Sequence, residues 1–195
     1  MKRTVFTRIV LVVLGILIIV GLVSALTALG RAIFGGSSSN SSNNIARESL
    51  LTNTFEMSVE MVVRGPITAD ENFSTVSTSI SSSSREVTYY NGYSLYEVEK
   101  IELPNTFRAY DEFIYALDKA GFTNGTSSAD NSDTRGVCAT GSLYEFRIKK
   151  NDSIIKTLWT TSCKADKGTL KANIQPIHNL FTAQVSGSSK TMTMR

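Results

Sequence analysis

Two cysteines, a single histidine and an abundance of hydroxyl side chains are what this 195-residue chain offers for chemistry. Cys138 and Cys163 flank a predicted hairpin that turns at Asn151-Asp152. In its simplest register Cys138 faces Ala165 and Cys163 faces Thr140. A shift of two residues, hosted by a bulge at Gly136 or Gly141, brings the cysteines face to face without changing their side of the sheet. A pair so placed outside the cytoplasm is expected to be a disulfide. Redox chemistry would call for a CxxC spacing, which is missing, and two cysteines with His178 leave a zinc site short of ligands.

The other chemical signals are weaker. His178 would be a general base in an enzyme, but it sits on a short predicted helix, where a half-exposed residue is the ordinary reading. No GxSxG puts a serine on a nucleophile elbow, and a Ser–Lys pair has only permissive spacing behind it. No glycine loop cradles a phosphate. Asp130, Ser132, Asp133 and Gly136 outline a calcium loop, yet Arg135 stands where glycine belongs and the distal Glu is missing. The sequence therefore assigns no catalytic residue, cofactor or metal ligand. Tyr89, Tyr90, Tyr93 and Tyr96 crowd one hairpin and fall on two faces, so some rings are exposed. Tyr90 and Tyr93 are the candidates for contact with a partner; the alternative is that these rings cover the sheet beneath a helix.

Positioning these residues falls to strands and one main helix. Phe55, Met57, Val59, Met61 and Val63 alternate with polar residues, predicting a strand with one dry face that ends at Gly65-Pro66. Val76, Thr78 and Ile80 predict a second. Asn91-Gly92 predicts a two-residue hairpin pairing Tyr90 with Tyr93 and Val87 with Tyr96. A turn at Ser82-Ser83 sets Val76 opposite Tyr89 and Thr78 opposite Val87. After Pro104-Asn105, Phe107, Tyr110, Phe113, Ile114 and Leu117 form one stripe of a helix over Thr106–Ala120, stopped by Gly121. Thr123 to Gly136 reads as an exposed loop. The second hairpin is expected to match Ile148 with Ile155, Phe146 with Thr157 and Tyr144 with Trp159. Pro176 opens a short last helix carrying Ile177, Leu180 and Phe181.

Composition and charge set the wider frame. The chain is 42% hydrophobic and 19% charged, which excludes wholesale disorder. Its net charge of +3 is concentrated at the start: four of the 20 basic residues and no acid lie in the first 36 positions. The remaining sixteen basic residues meet 17 acidic ones, so the domain lacks the footprint of a nucleic-acid binder. Ile9 to Leu29 carries no charge, and as a helix it would be about 31 Å long, close to the ~30 Å hydrocarbon core. The competing reading is a signal peptide cleaved near Ala25, but the apolar run exceeds the roughly 7–15 residues of a usual core region. Lys2, Arg3 and Arg8 before the span put the N-terminus in the cytoplasm and the rest outside.

The expected organisation is a membrane anchor at 1–34, a Gly/Ser/Asn linker at 35–44, one extracytoplasmic domain at 45–185 and a polar tail at 186–195. Asn44 caps a short helix from Ile45. The expected fold class is α+β: an N-terminal transmembrane helix, then a mostly antiparallel sheet with one main amphipathic helix and a short C-terminal helix.

One resemblance spans about Met57 to Val185. It rests on Val63-Arg64-Gly65-Pro66-Ile67, Ser84-Arg85, Asn91-Gly92-Tyr93, Ala109-Tyr110, Phe113 and Ala116-Leu117. It continues through Gly136-Val137-Cys138-Ala139-Thr140-Gly141, Leu158-Trp159-Thr160-Thr161-Ser162-Cys163 and Leu180-Phe181. In these stretches the chain resembles uncharacterised single-pass envelope proteins of ultra-small, host-dependent candidate-phylum bacteria. The resemblance implies an extracytoplasmic domain with paired cysteines and implies no activity. Type IV pilins share an apolar N-terminal helix and a late disulfide loop, but the Gly-Phe processing site and early Glu are absent here.

The leading expectation is a membrane-tethered binding or structural module of the cell envelope. The bilayer would be its partner through Ile9–Leu29, with an envelope protein or surface polymer as a second partner and no nucleic acid. The alternatives are an extracytoplasmic hydrolase of envelope material and an accessory subunit of a membrane complex.

Overall fold

Large apolar side chains at every second position from Met57 to Val63 make the central strand of the fold. In the computed structural model the described residues are 38–52, 54–126, 133–164 and 168–186. The chain divides into two units between Asn40 and Ser41, and apart from the first three residues of the first helix the features below belong to the second. Ile9–Leu29 and the tail after Ser186 lie outside the described residues. Among the described residues, no helix is long and apolar enough to cross a membrane.

The fold is α+β, with one antiparallel six-stranded sheet and three helices among the described residues. Helix α1 (Ser38–Thr52) leads into strands β1 (Met57–Arg64), β2 (Ser74–Ser81), β3 (Ser84–Asn91) and β4 (Tyr96–Pro104). Helix α2 (Phe107–Lys119) follows, then the hairpin of β5 (Leu143–Lys150) and β6 (Ser153–Thr161), and last α3 (Ile174–Val185). The sheet order is β4-β3-β2-β1-β5-β6. A meander thus runs from β1 to one edge, and α2 carries the chain back so that β5 pairs on the other side of β1.

One sheet face is dry. Met57, Val59 and Met61 from β1, Ile80 from β2 and Phe146 and Ile148 from β5 are buried there with Tyr110, Phe113, Ile114 and Leu117 of α2 and Ile177 and Phe181 of α3. Phe181 meets Phe113 edge-on at a centroid distance of 5.4 Å and lies 5.8 Å from Phe122. Thr106 caps α2, its side chain accepting from the Ala109 N–H at 3.3 Å. Gly121 leaves that helix at φ 78°, a left-handed stop that favours glycine. Asn173 caps α3 through the Gln175 N–H. The hydroxyl of Tyr110 donates to the Met57 carbonyl at 2.9 Å, giving a buried polar tip a partner.

The serine turn is as expected: Val76 lies opposite Tyr89 and Thr78 opposite Val87. Its cause is local, because the Ser81 hydroxyl accepts from the Ser83 and Ser84 N–H groups. Three other expectations are corrected. First, β3 and β4 are joined by a four-residue turn, with Asn91 opposite Tyr96 and Val87 opposite Ile101. Gly92 and Leu95 take positive φ, and the turn is held from outside by the Phe73 carbonyl on the Gly92 N–H and the Asp70 carboxylate on the Tyr93 N–H. Tyr96 and Val98 are therefore exposed.

Second, β5 and β6 turn at Asn151-Asp152, both with positive φ as that tight turn requires. A bulge between Ile148 and Lys149 then moves the register by one residue. Ile148 faces Lys156, Phe146 faces Leu158, and Trp159 faces Glu145 on the opposite side of the sheet from Tyr144. Third, α1 begins at Ser38 and takes in Ser38 to Asn44, which were expected as linker. Ser and Asn cost only a fraction of a kcal/mol each in a helix, about 0.5 relative to Ala. Ala46 and Leu50 anchor the C-terminal half of α1 in the core, and Arg47 pairs with Asp118 of α2.

The bulge has two measurable consequences. Ile155→Asp should change stability by no more than about 0.5 kcal/mol in urea unfolding, whereas Leu158→Asp should unfold the domain. The unbulged register predicts the reverse order. The shift also turns Lys156 inward, where its ammonium donates to the Thr123 carbonyl at 2.7 Å and burial pushes its pKa down to about 8. Above pH 8 the unfolded chain still holds a proton that the folded chain has released, so stability rises with pH toward 10. Denaturant titrations at pH 7.5 and 9.5 should show this rise in the wild type and its loss in Lys156→Met.

Candidate functional site

Antiparallel pairing gathers the end of β1, the start of β2, the start of β5 and the end of β6 at one end of the sheet. Arg64 lies between Thr75 on β2 and Leu143 on β5, and Leu143 faces Thr161 on β6. A cleft of about 380 Å³ opens there. Thr75 and Leu143, both buried, line it from the sheet. Phe73, Tyr93 and Leu95 line it beside the β3–β4 turn, and Thr134 to Val137 from the loop before β5.

Each wall is fixed by named bonds. The Tyr93 ring stacks on Phe73 with centroids 4.0 Å apart. Its hydroxyl donates to the Thr68 carbonyl at 2.8 Å and accepts from the Thr68 N–H at 3.2 Å. The Asp70 carboxylate holds the Tyr93 N–H at 2.7 Å. Across the cleft, Cys138 and Cys163 form a disulfide with Cα atoms 5.5 Å apart. The next residue, Ala139, accepts from the Ile67 N–H at 2.8 Å, so the bridged turn is tied to the segment after β1. Gly141 cannot carry a side chain, since a Cβ would lie 2.4 Å from the Ser162 hydroxyl and 2.8 Å from the Cys138 sulfur.

Charge at the cleft is balanced. Arg64 pairs with Glu145 at 3.2 Å and reaches the Thr134 hydroxyl at 3.4 Å. Arg135 pairs with Asp133, whose pKa its guanidinium hydrogen bonds bring down to about 2. The Arg64–Glu145 pair belongs to a ladder on the open sheet face, in which Arg147 bonds Glu145 and Glu60, and Lys149 bonds Glu60 at 2.8 Å. Burial works against the Glu60 carboxylate, but Lys149, the Ser77 hydroxyl and Arg147 together hold its pKa below the usual carboxylate range. Burial likewise opposes the Arg147 charge and is outweighed by Glu145 and Glu60.

One group in the cleft lacks a partner. Thr75 is only 3% exposed, and its hydroxyl oxygen is the one buried side-chain polar atom without a hydrogen bond among the described residues. The cleft walls supply apolar surface, the guanidinium N–H groups of Arg64 and Arg135, and the hydroxyl-bearing side chains Thr75, Tyr93 and Thr134.

The sequence-based candidates distribute unevenly around this site. Cys138 and Cys163 are joined as expected, but both stand in turns beyond the strands, with Cys138 at φ 52°, and not on extensions of the hairpin. Tyr93 forms part of the cleft wall. Tyr90 is half-buried on the open face, opposite Thr75 in the sheet, and does not line the cleft. His178 is half-buried on α3 and meets the Tyr144 ring edge-on at 5.8 Å, away from the cleft. Asp133, from the calcium-loop outline, is engaged by Arg135, while Asp130 and Ser132 lie outside the described residues. Among the described residues no three His, Cys, Asp or Glu side chains cluster as metal ligands would. Sequence reasoning gave Arg64, Thr75, Val137 and Leu143 no site role, since only the fold brings them together.

No protein-family model matches this chain, and no curated protein matches it in sequence.

Replacing Cys138 and Cys163 together by Ser should cost about 3.5 kcal/mol of stability in urea unfolding, from the entropy of the freed loop. Amide hydrogen exchange should quicken at Ile67, whose N–H reports the attachment of the bridged turn.

Proposed function

We propose that this protein is a membrane-tethered extracytoplasmic module of the cell envelope that binds a partner at the cleft between the β3–β4 turn and the disulfide-bridged loop. The observation that carries the binding role is a cleft with fixed walls and a buried unpartnered hydroxyl. The tether rests on the uncharged run Ile9–Leu29 with basic residues ahead of it. The compartment rests on that run and on the cysteine pair, and the resemblance to single-pass envelope proteins agrees with both. A hydrolase built on His178 has less support, because that ring packs on Tyr144 outside the cleft.

The test has two arms. In cells making the full chain, the protein should stay with membranes through alkaline carbonate washing, and protease added outside should remove the domain. Recovery in the cytosol with both thiols open to alkylation would overturn the tether. For binding, a photo-reactive phenylalanine analogue at position 93 should yield one dominant adduct in those membranes. The same analogue at position 115, the exposed Tyr115 of α2, should yield none. Equal yields would overturn the cleft as the binding site.

A further inference from the structure

Resting on that reading of the cleft, we infer that its occupant is an uncharged peptide segment that seats one apolar side chain and hydrogen-bonds Thr75. Three observations select this class. The first is charge: Arg64 and Arg135 each already face a carboxylate, Glu145 and Asp133, so the rim offers N–H donors without net positive charge. A phosphate or other polyanion would have to displace those acids, whereas an amide carbonyl accepts from a free guanidinium N–H at no cost in charge.

The second is the hydroxyl. Leaving a buried polar group unpaired costs about 1–3 kcal/mol, so one that persists calls for an explanation. The Thr75 oxygen has no partner within the described residues, and an occupant of the cleft that Thr75 lines would supply one. A hydroxyl both donates and accepts, which matches the carbonyl and the N–H of a peptide unit.

The third is the wall chemistry. Ile67, Leu95, Val137 and Leu143 surround the space, and Ile67, Tyr93 and Leu95 are each about half exposed at the mouth. At about 380 Å³ the cleft lies at the small end of ligand pockets, enough for one side chain and the peptide units beside it. Sugar sites rely on carboxylates and carboxamides to hold paired hydroxyls, and no Asp, Glu, Asn or Gln lines this cleft. A peptide fits these walls better than a surface polysaccharide.

The probes are N-acetyl-leucine methylamide, N-acetyl-leucine and N-acetylglucosamine, each titrated into the full chain in detergent with methyl-labelled Ile and Thr read by NMR. The neutral amide should move the Ile67 and Thr75 methyl signals saturably and leave Ile177, in the core, unmoved. Thr75→Val should weaken its binding about tenfold, as loss of one buried hydrogen bond does, and should raise the melting temperature because the orphan oxygen is gone. Val137→Phe, which fills the mouth, should abolish binding while the fold is retained. Saturation by N-acetyl-leucine at lower concentration than by the amide would make the cleft an anion site. Saturation by the sugar alone would make it a glycan site, and silence from all three would show that it takes no such ligand. Each of these results overturns the peptide assignment. The photo-adduct at position 93 separates them from failure of the binding reading itself.

Discussion

The pairing of β1 with β5 is the constraint on which the rest of this domain depends. It joins two locally folded pieces, the β1–β4 meander and the β5–β6 hairpin, across residues 79 to 93 positions apart. Closing so long a loop costs entropy that local turns cannot recover. The compensation lies on the dry face, where Phe146 and Ile148 of β5 complete the layer beneath Phe122 and Phe181. With the β1–β2 ladder on its other side, this ladder sets Arg64 between Thr75 and Leu143. The cleft is therefore a product of topology, with no existence in either half alone.

The same ladder settles the electrostatics of the open face. Val62 sits among charged neighbours there, with Glu60, Arg147, Lys149, Glu145 and Arg64 arranged so that acids and bases alternate in space. Glu60 is 8% exposed, and a carboxylate so buried survives ionised only with partners on several sides. Those partners come from β5 and from Ser77 of β2, so the central strand stays charged because both neighbours are in register. Arg64 at the end of the row is committed to Glu145. The neutrality of the cleft follows from the demands of the sheet, which ties the chemistry of any ligand to the stability of the fold.

What was legible in the sequence is what local chemistry decides. The stripe Tyr110, Phe113, Ile114 and Leu117 belongs to a helix whichever way the chain is read, and the Ser81–Ser84 turn writes its own register in side-chain hydrogen bonds. The Asn91-Gly92 turn misleads because its geometry is set by Asp70 and Phe73, about twenty residues away, which hold Tyr93 and Gly92 from outside. The bulge at Ile148/Lys149 misleads for another reason. Ile154, Ile155, Leu158 and Trp159 are all apolar enough for either face, so no alternation marks the slip, and only the closure of Leu158 onto the core selects it. Thr75 was invisible because a lone threonine in a strand carries no sign that its hydroxyl is orphaned.

The bridge between Cys138 and Cys163 bears on why such an orphan is tolerated. A domain of this size has a net stability of only about 5–15 kcal/mol, so an unpaired hydroxyl consumes a sizeable share of it. The disulfide returns a comparable amount by restricting the unfolded chain, about 3.5 kcal/mol for a loop of this length. The bridged turn also holds Ile67 through Ala139, and Ile67 lines the same cleft as Thr75. Thr75 itself is already buried, with its hydroxyl unpartnered. A covalent strap and backbone hydrogen bonds fix the segments that line the cleft around it. Binding strength then depends on what enters the cleft, because the protein has already met the cost of holding it open.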